Sequence, residues 1–478
     1  MVSRLGAICW LACLVVFPPS LVAAEIVSTL GDQDEMAVTI YNDDLALVRD
    51  RRQVTLPQGE VSLALREVSA RIRPETALLR SLSHPRDVTV FEQNFDFDLL
   101  TPGKLLEKYV GRDVQLVRTH PQTGVDQAET ARVLAAGDGV VLKVGDRIET
   151  GLPGRLVFPD VPSHLRDRPT LVVDLASDRA AKQQLEVSYL TGGLGWQADY
   201  VAGLSGDEKT LDLSGWVTLT NQSGTTYRNA RLQLVAGDVN RVRDELFLQR
   251  GTVMEQAMPK AAPAMAEESL FEYHLYTLSR PTTLKENQTK QVALLAATGV
   301  PLRKEYRLAG GSHYYQGRYA ELGEKLKVAV FVEFDNKKAT SLGLPLPKGV
   351  VRVYKQDRAG QPQFIGEDRI DHTPENETVR LKLGEAFDVT ANRRQTDFRK
   401  LGGDSRYNYR FETAFEVVLK NAKDEAVTVT VAEPVPGDWK VLSASHPHRK
   451  GAANAVVWEI PVPARGEATL AYRVEVNY

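Results

Sequence analysis

The chain has 478 residues, 43% of them hydrophobic, with 59 Lys and Arg against 62 Asp and Glu for a net charge of −3. That near balance lacks the basic field that grips nucleic-acid backbones and the polybasic patch that binds anionic membranes, while length and apolar content suffice for about three cored domains. Its two cysteines, Cys9 and Cys13, both lie close to the amino terminus.

The first predicted element is an export signal over residues 1–24. Arg4 supplies a positive start and Leu5 to Phe17 an apolar run too short for ~30 Å of hydrocarbon. Val22-Ala23-Ala24 is a cleavage pattern, so the exported chain begins near Glu25 and belongs in a bacterial periplasm or cell envelope. Both cysteines fall inside this segment, which leaves the remainder without disulfides, thiolate metal sites or a cysteine nucleophile. Lipid attachment at Cys13 is the other reading, against which Trp10-Leu11-Ala12 makes a poor acceptor context. No later apolar run reaches the length of a membrane helix.

Period-two strands begin near Ala37. Val61, Leu63 and Leu65 alternate with polar or small residues after the Pro57-Gln58-Gly59 turn, which predicts a hairpin with one buried face. One short helix is expected over Thr101 to Gly111, with Pro102 at its start and Gly111 able to take the left-handed terminus. Strands at Val114–Arg118, Thr130–Ala135, Val140–Val144 and Arg155–Phe158, divided by Gly- and Pro-containing turns, predict a small β-barrel over 101–159. It would interrupt an N-terminal β-domain made of 25–100 and 160–200.

From Tyr189 to Val242 the chain alternates with Trp196 and Trp216 among its apolar positions, and both are predicted as core or core-edge anchors of a β-sandwich. A sandwich over 201–302 would carry a mobile insertion at 252–269, where alanine, proline and methionine accumulate without strand period. That insertion is read as a linker, with a soft-metal or partner-binding methionine segment as the rival. A last sandwich, 303–478, is predicted from three apolar faces: Val328, Val330, Val332, Phe334; Phe411, Thr413, Phe415, Val417, Leu419; and Leu470, Tyr472, Val474, Val476. The fold class is therefore all-β, with antiparallel, immunoglobulin-like sandwiches and very little helix. The terminal alternation ending in Tyr478 also fits the last strand of an outer-membrane barrel, but prolines break the other faces.

Tyr189–Tyr200, Leu213–Val242, His274–Leu295, Phe364–Pro374 and Ala426–Trp439 together resemble the exported bacterial domain of unknown function four-one-three-nine, distantly similar to mucoidy inhibitor A proteins. The likeness covers roughly the C-terminal three-fifths, and Tyr41–Leu79 is similar to the amino-terminal part of the same long architecture. The resemblance implies a β-sandwich and an envelope location, with no catalytic residue to carry over. The coiled coil usual in mucoidy inhibitor A relatives has no counterpart here.

Chemistry-bearing patterns are sparse. His446 and His448 straddle a proline in an exposed-looking turn, and two imidazoles alone hold no zinc or copper. The chain lacks H-E-x-x-H, G-x-S-x-G and the phosphate-loop motif. Gly310-Gly311-Ser312-His313 reads as a turn. Asp96 and Asp98 stand two apart in a predicted strand, so one face would carry both carboxylates, suited to acid–base work or a hard cation, or simply solvated. Glu367, Asp368 and Asp371 form a second acidic group on a hairpin's outer face. Tyr314, Tyr315 and Tyr319 could stack on a sugar or close a core edge. No metal or cofactor is expected. The favoured reading is a non-enzymatic exported scaffold or binding module for an envelope protein or polymer, possibly by strand addition at a sheet edge. An envelope hydrolase or carbohydrate binder is the alternative.

Overall fold

The structure is a computed structural model describing residues 25–42, 44–96, 98–137, 139–152, 154–162, 165–237, 239–240, 265–319, 321–402, 406–451 and 454–478. Among them, strands dominate and the one α-helix is Pro102–Lys108. The fold is all-β, built from several largely antiparallel sheets as the period-two faces predict. The chain divides into two compact units, one holding 47–192 and the other 226–478, with short neighbouring segments attached to each.

In the first unit Thr170–Ser177 lies antiparallel between Gly59–Arg66 and Val88–Asp96, and Glu25–Ser28 adds to Gly59–Arg66 in parallel. Val61, Leu63 and Leu65 are buried, as their alternation predicts, and Leu171, Val173 and Leu175 complete the core. The expected hairpin does not form: Leu45–Leu56, before the Pro57-Gln58-Gly59 turn, belongs to a different sheet from Gly59–Arg66. An ion pair lies inside this unit: Arg52 Nη2 donates to Asp50 Oδ2 at 2.7 Å and to the Arg66 carbonyl at 2.8 Å.

The predicted helix forms where expected. The Thr101 hydroxyl accepts from the Lys104 amide at 3.2 Å, and Gly111 takes φ 83° just past the end. The segment expected as a barrel is a five-stranded sheet ordered Arg147–Thr150, Val141–Val144, Asp126–Ala135, Asp113–Thr119, Arg155–Val157. Leu106 and Tyr109 share one core with its inner face, Val114, Leu116, Val133 and Leu142. Arg147–Thr150 was not expected: at four residues it offers too little period to count.

The second unit holds a thirteen-stranded sheet, besides strands such as Tyr227–Ala236, Ala266–Leu270 and Tyr273–Thr277 that belong to an eight-stranded sheet. Leu194–Leu204 pairs antiparallel with Thr210–Asn221, which pairs with Gln288–Ala309. Gln288–Ala309 then continues through the boundary expected near 302: beyond it, Leu302 to Arg307 pair with Glu321–Asp335. Thr378–Leu401 likewise serves two neighbours, its first part Glu321–Asp335 and its second Arg410–Asn421. These long strands bend at bulges and so line two cores. The C-terminal core is a sandwich in which Phe415, Val417, Leu470, Tyr472 and Val474 face Val429, Val431, Trp458 and Ile460. Leu470, Tyr472, Val474 and Val476 are at most 2% exposed. The terminal alternation therefore faces a protein core, where a barrel strand would turn it to lipid.

Two further local expectations fail. Met265 is buried and Ala266–Leu270 pairs antiparallel with Tyr273–Thr277, so the insertion predicted to end at 269 gives way to a hairpin by 266; residues 252–264 lie outside the described set. The short polar strand AEESL carries no apolar alternation to announce it. Parallel pairings, as between Leu194–Leu204 and Gly349–Gln356, also went unforeseen, because their partners lie far apart in sequence.

Candidate binding site

The strand Val88–Asp96 ends at Asp96, so Asp98 lies beyond it and the two carboxylates do not share a strand face. Each has its own cation. Arg166 Nε donates to Asp96 Oδ2 at 2.9 Å while its Nη2 holds Glu25 at 2.7 Å, and Lys108 Nζ lies 2.7 Å from Asp98 Oδ2. The Glu25 hydrogen bond leads in raising the Arg166 pKa, and the same contact lowers that of Glu25. An acid–base pair needs carboxylates converging on one cleft; these serve salt bridges. Glu367 pairs with Arg352 at 3.3 Å and Asp368 accepts from the Lys382 amide at 2.7 Å. His448 is exposed and His446 half-buried, the latter with Nδ1 2.9 Å from the Ser445 hydroxyl.

The tyrosines separate. Tyr315 is fully buried on the short 3-10 turn Ser312–Tyr315, so its ring cannot serve as a sugar platform. Its hydroxyl donates to Glu433 Oε2 at 3.1 Å and lies 3.2 Å from the Tyr472 hydroxyl. Arg393 Nη2 donates to Glu433 Oε1 at 2.6 Å, and its guanidinium lies 5.2 Å from the Tyr314 ring centre. Tyr314 and Tyr319 are half-buried, Tyr319 edge-on to His313. Burial drives the Glu433 carboxyl above its usual range against the pull of Arg393; at Arg393 burial is likewise the largest influence and disfavours its charge, but Glu433, Tyr472 and Tyr314 together raise its pKa. Gly310 makes room for this arrangement: a Cβ there would stand 1.8 Å from Glu433 Oε2. The cluster ties three strands together from inside the core.

A concave site does exist elsewhere in this unit, and no motif marked it. Pro362–Ile370 is the terminal strand of the sheet, and at Asp368 and Gly366 it meets Thr378–Leu401. Gly366, at φ 152°, allows this approach, since a Cβ there would lie 2.4 Å from the Leu383 carbonyl oxygen. Beside that contact is a cavity of about 190 Å³ lined by Leu204, Leu302, Val330, Val332, Ile365 and Leu383. Alternation supplies these side chains: Val330 and Val332 are inward positions of a predicted face.

Glu208 lines the pocket from a turn, with φ 57°. Lys304 Nζ and Lys355 Nζ each donate to its carboxylate at 2.5 Å, giving the triad one net positive charge. Burial alone would raise the Glu208 carboxyl; the two ammoniums overcome it and hold it at about 2. A depressed carboxyl contributes stability above its unfolded pKa of 4.5 and loses it as pH falls through about 2. Acid titration of Glu208→Gln against the parent is thus expected to show a difference of about 1 kcal/mol, after allowance for solvent screening, that is present at neutral pH and vanishes between those two values. Equal acid sensitivity of both proteins would remove the clamp from the account.

The class is therefore an all-β, sandwich-type protein with a side-chain-sized apolar pocket in its C-terminal unit. Residues 185–478 match the family described as Domain of unknown function (DUF4139), and the chain belongs to that family. No match is found among curated proteins.

Proposed function

We propose that this protein is a non-enzymatic, exported cell-envelope binding module whose C-terminal pocket receives one large apolar side chain from a protein partner. The pocket's size carries this reading. At about 190 Å³ it falls below the ~300–1,000 Å³ of pockets for drug-sized ligands, but engineered apolar cavities of ~150 Å³ take up benzene. Lys304 and Lys355 beside it favour an acidic neighbourhood around that side chain. Export is supported by Arg4, the Leu5–Phe17 run and Val22-Ala23-Ala24, and the distant likeness to mucoidy inhibitor A proteins agrees with an envelope location.

Titrating the protein with a capped Glu-Phe-Glu peptide, followed by NMR, is expected to give saturable binding near ~1 mM. Glu-Ala-Glu should not bind, and Ile365→Glu should abolish binding of the phenylalanine peptide. Equal behaviour of the two peptides would overturn the reading.

A further inference from the structure

The hairpin Ala266–Leu270/Tyr273–Thr277 turns through a two-residue loop, Phe271-Glu272, with Leu270 paired to Tyr273. Phe271 takes φ 57°, although the first position of such a loop calls for glycine when φ is positive, and a bulky residue is strained there. It is also 86% exposed, and Leu270 beside it is 45% exposed. Among the described residues its one ring neighbour is Tyr273, 6.4 Å away centre to centre, so this strained aromatic gives the fold little that glycine would not supply at lower strain. Strain of this kind collects at positions kept for recognition.

The flanks define what the tip suits. Glu268 and Glu272 are exposed beside it, and Glu267 bonds His274 Nδ1 at 2.7 Å. An acidic collar repels an anionic lipid surface and suits a basic-rimmed apolar hole. The same chain carries such a hole: Lys304 lines it and Lys355 stands beside it, both on Glu208, and the other acidic lining residue, Glu385, is paired with Lys327 at 3.2 Å, so one positive charge is left over. We infer that Phe271 of one copy inserts into the pocket of a second copy, giving head-to-tail self-association. The inference rests on the proposed function of that pocket and names its occupant. Knob and hole are different surfaces, so the contact is heterologous and each copy keeps one of each free, which extends the assembly into a ring or a filament.

Sedimentation of the full chain tests this. The parent is expected to associate with rising concentration. Phe271→Gly, which keeps the hole, and Ile365→Glu, which keeps the knob, should each associate at least roughly thirtyfold more weakly, the loss typical of an aromatic hot spot. Phe271→Gly should melt at or above the parent's temperature, because glycine relieves the backbone. Mixing the two variants should restore association but stop at a one-to-one dimer, since only one intact knob and one intact hole remain. A monomeric parent, unimpaired self-association of Phe271→Gly, or failure of the mixture to pair would each overturn the inference. If association fails while Glu-Phe-Glu still binds, the pocket's function stands and only its occupant is wrong; if neither is seen, both fall.

Discussion

Glu433→Ala is expected to destabilise the C-terminal sandwich by about 3–5 kcal/mol, because it leaves the Arg393 guanidinium buried without its counter-charge. Glu433 is 0% and Arg393 2% exposed, so water cannot replace the lost partner. The Tyr315 hydroxyl loses its acceptor in the same step, and burial already pushes that phenol well above its usual pKa, so it cannot take up charge in compensation. Glu433→Gln should still cost a large part of this, since the amide keeps the shape but not the charge. The double replacement Arg393→Met with Glu433→Leu should recover most of the loss, because a well-packed apolar pair often matches a buried ion pair. Urea unfolding of the three variants decides it. A loss under about 1 kcal/mol for Glu433→Ala would mean that the pair is not sequestered as described.

Trp458→Ala should be comparably severe, at about 3–5 kcal/mol. The ring is 0% exposed and lies 4.6 Å from the Tyr472 ring, centre to centre, at the middle of the sandwich. Trp196, 6% exposed, should follow closely. Trp216 is only half-buried on its strand, beside the fully covered Val217 and Leu219, so its truncation should cost less than either. Unfolding curves for the three alanine variants are predicted to rank in that order. The competing view of Trp196 and Trp216 as sugar-stacking platforms makes the opposite demand, unchanged stability with loss of glycan binding, and that result would displace the core reading.

The chain by itself determined the features that depend on near neighbours. Alternation put Val61, Leu63 and Leu65, and Leu470 to Val476, on buried faces, because successive strand side chains point to opposite sides whatever the strand pairs with. Thr101, Pro102 and Gly111 bracketed the helix by chemistry confined to its own ends. Only the tertiary structure decided which faces meet. Arg393 and Glu433 come from strands 40 residues apart, and nothing local separates them from the many surface charges around them. Asp96 and Asp98 show the reverse, a local spacing made irrelevant because Asp98 lies outside the strand that carries Asp96 and each carboxylate pairs with a cation of its own. The pocket draws Leu204, Leu302, Val332, Ile365 and Leu383 from five strands, so it exists only through register, bulges and the close approach at Gly366. Phe271 is the intermediate case: a phenylalanine where a tight hairpin wants glycine is visible in the sequence, but only once strand pairing shows that a hairpin turns there.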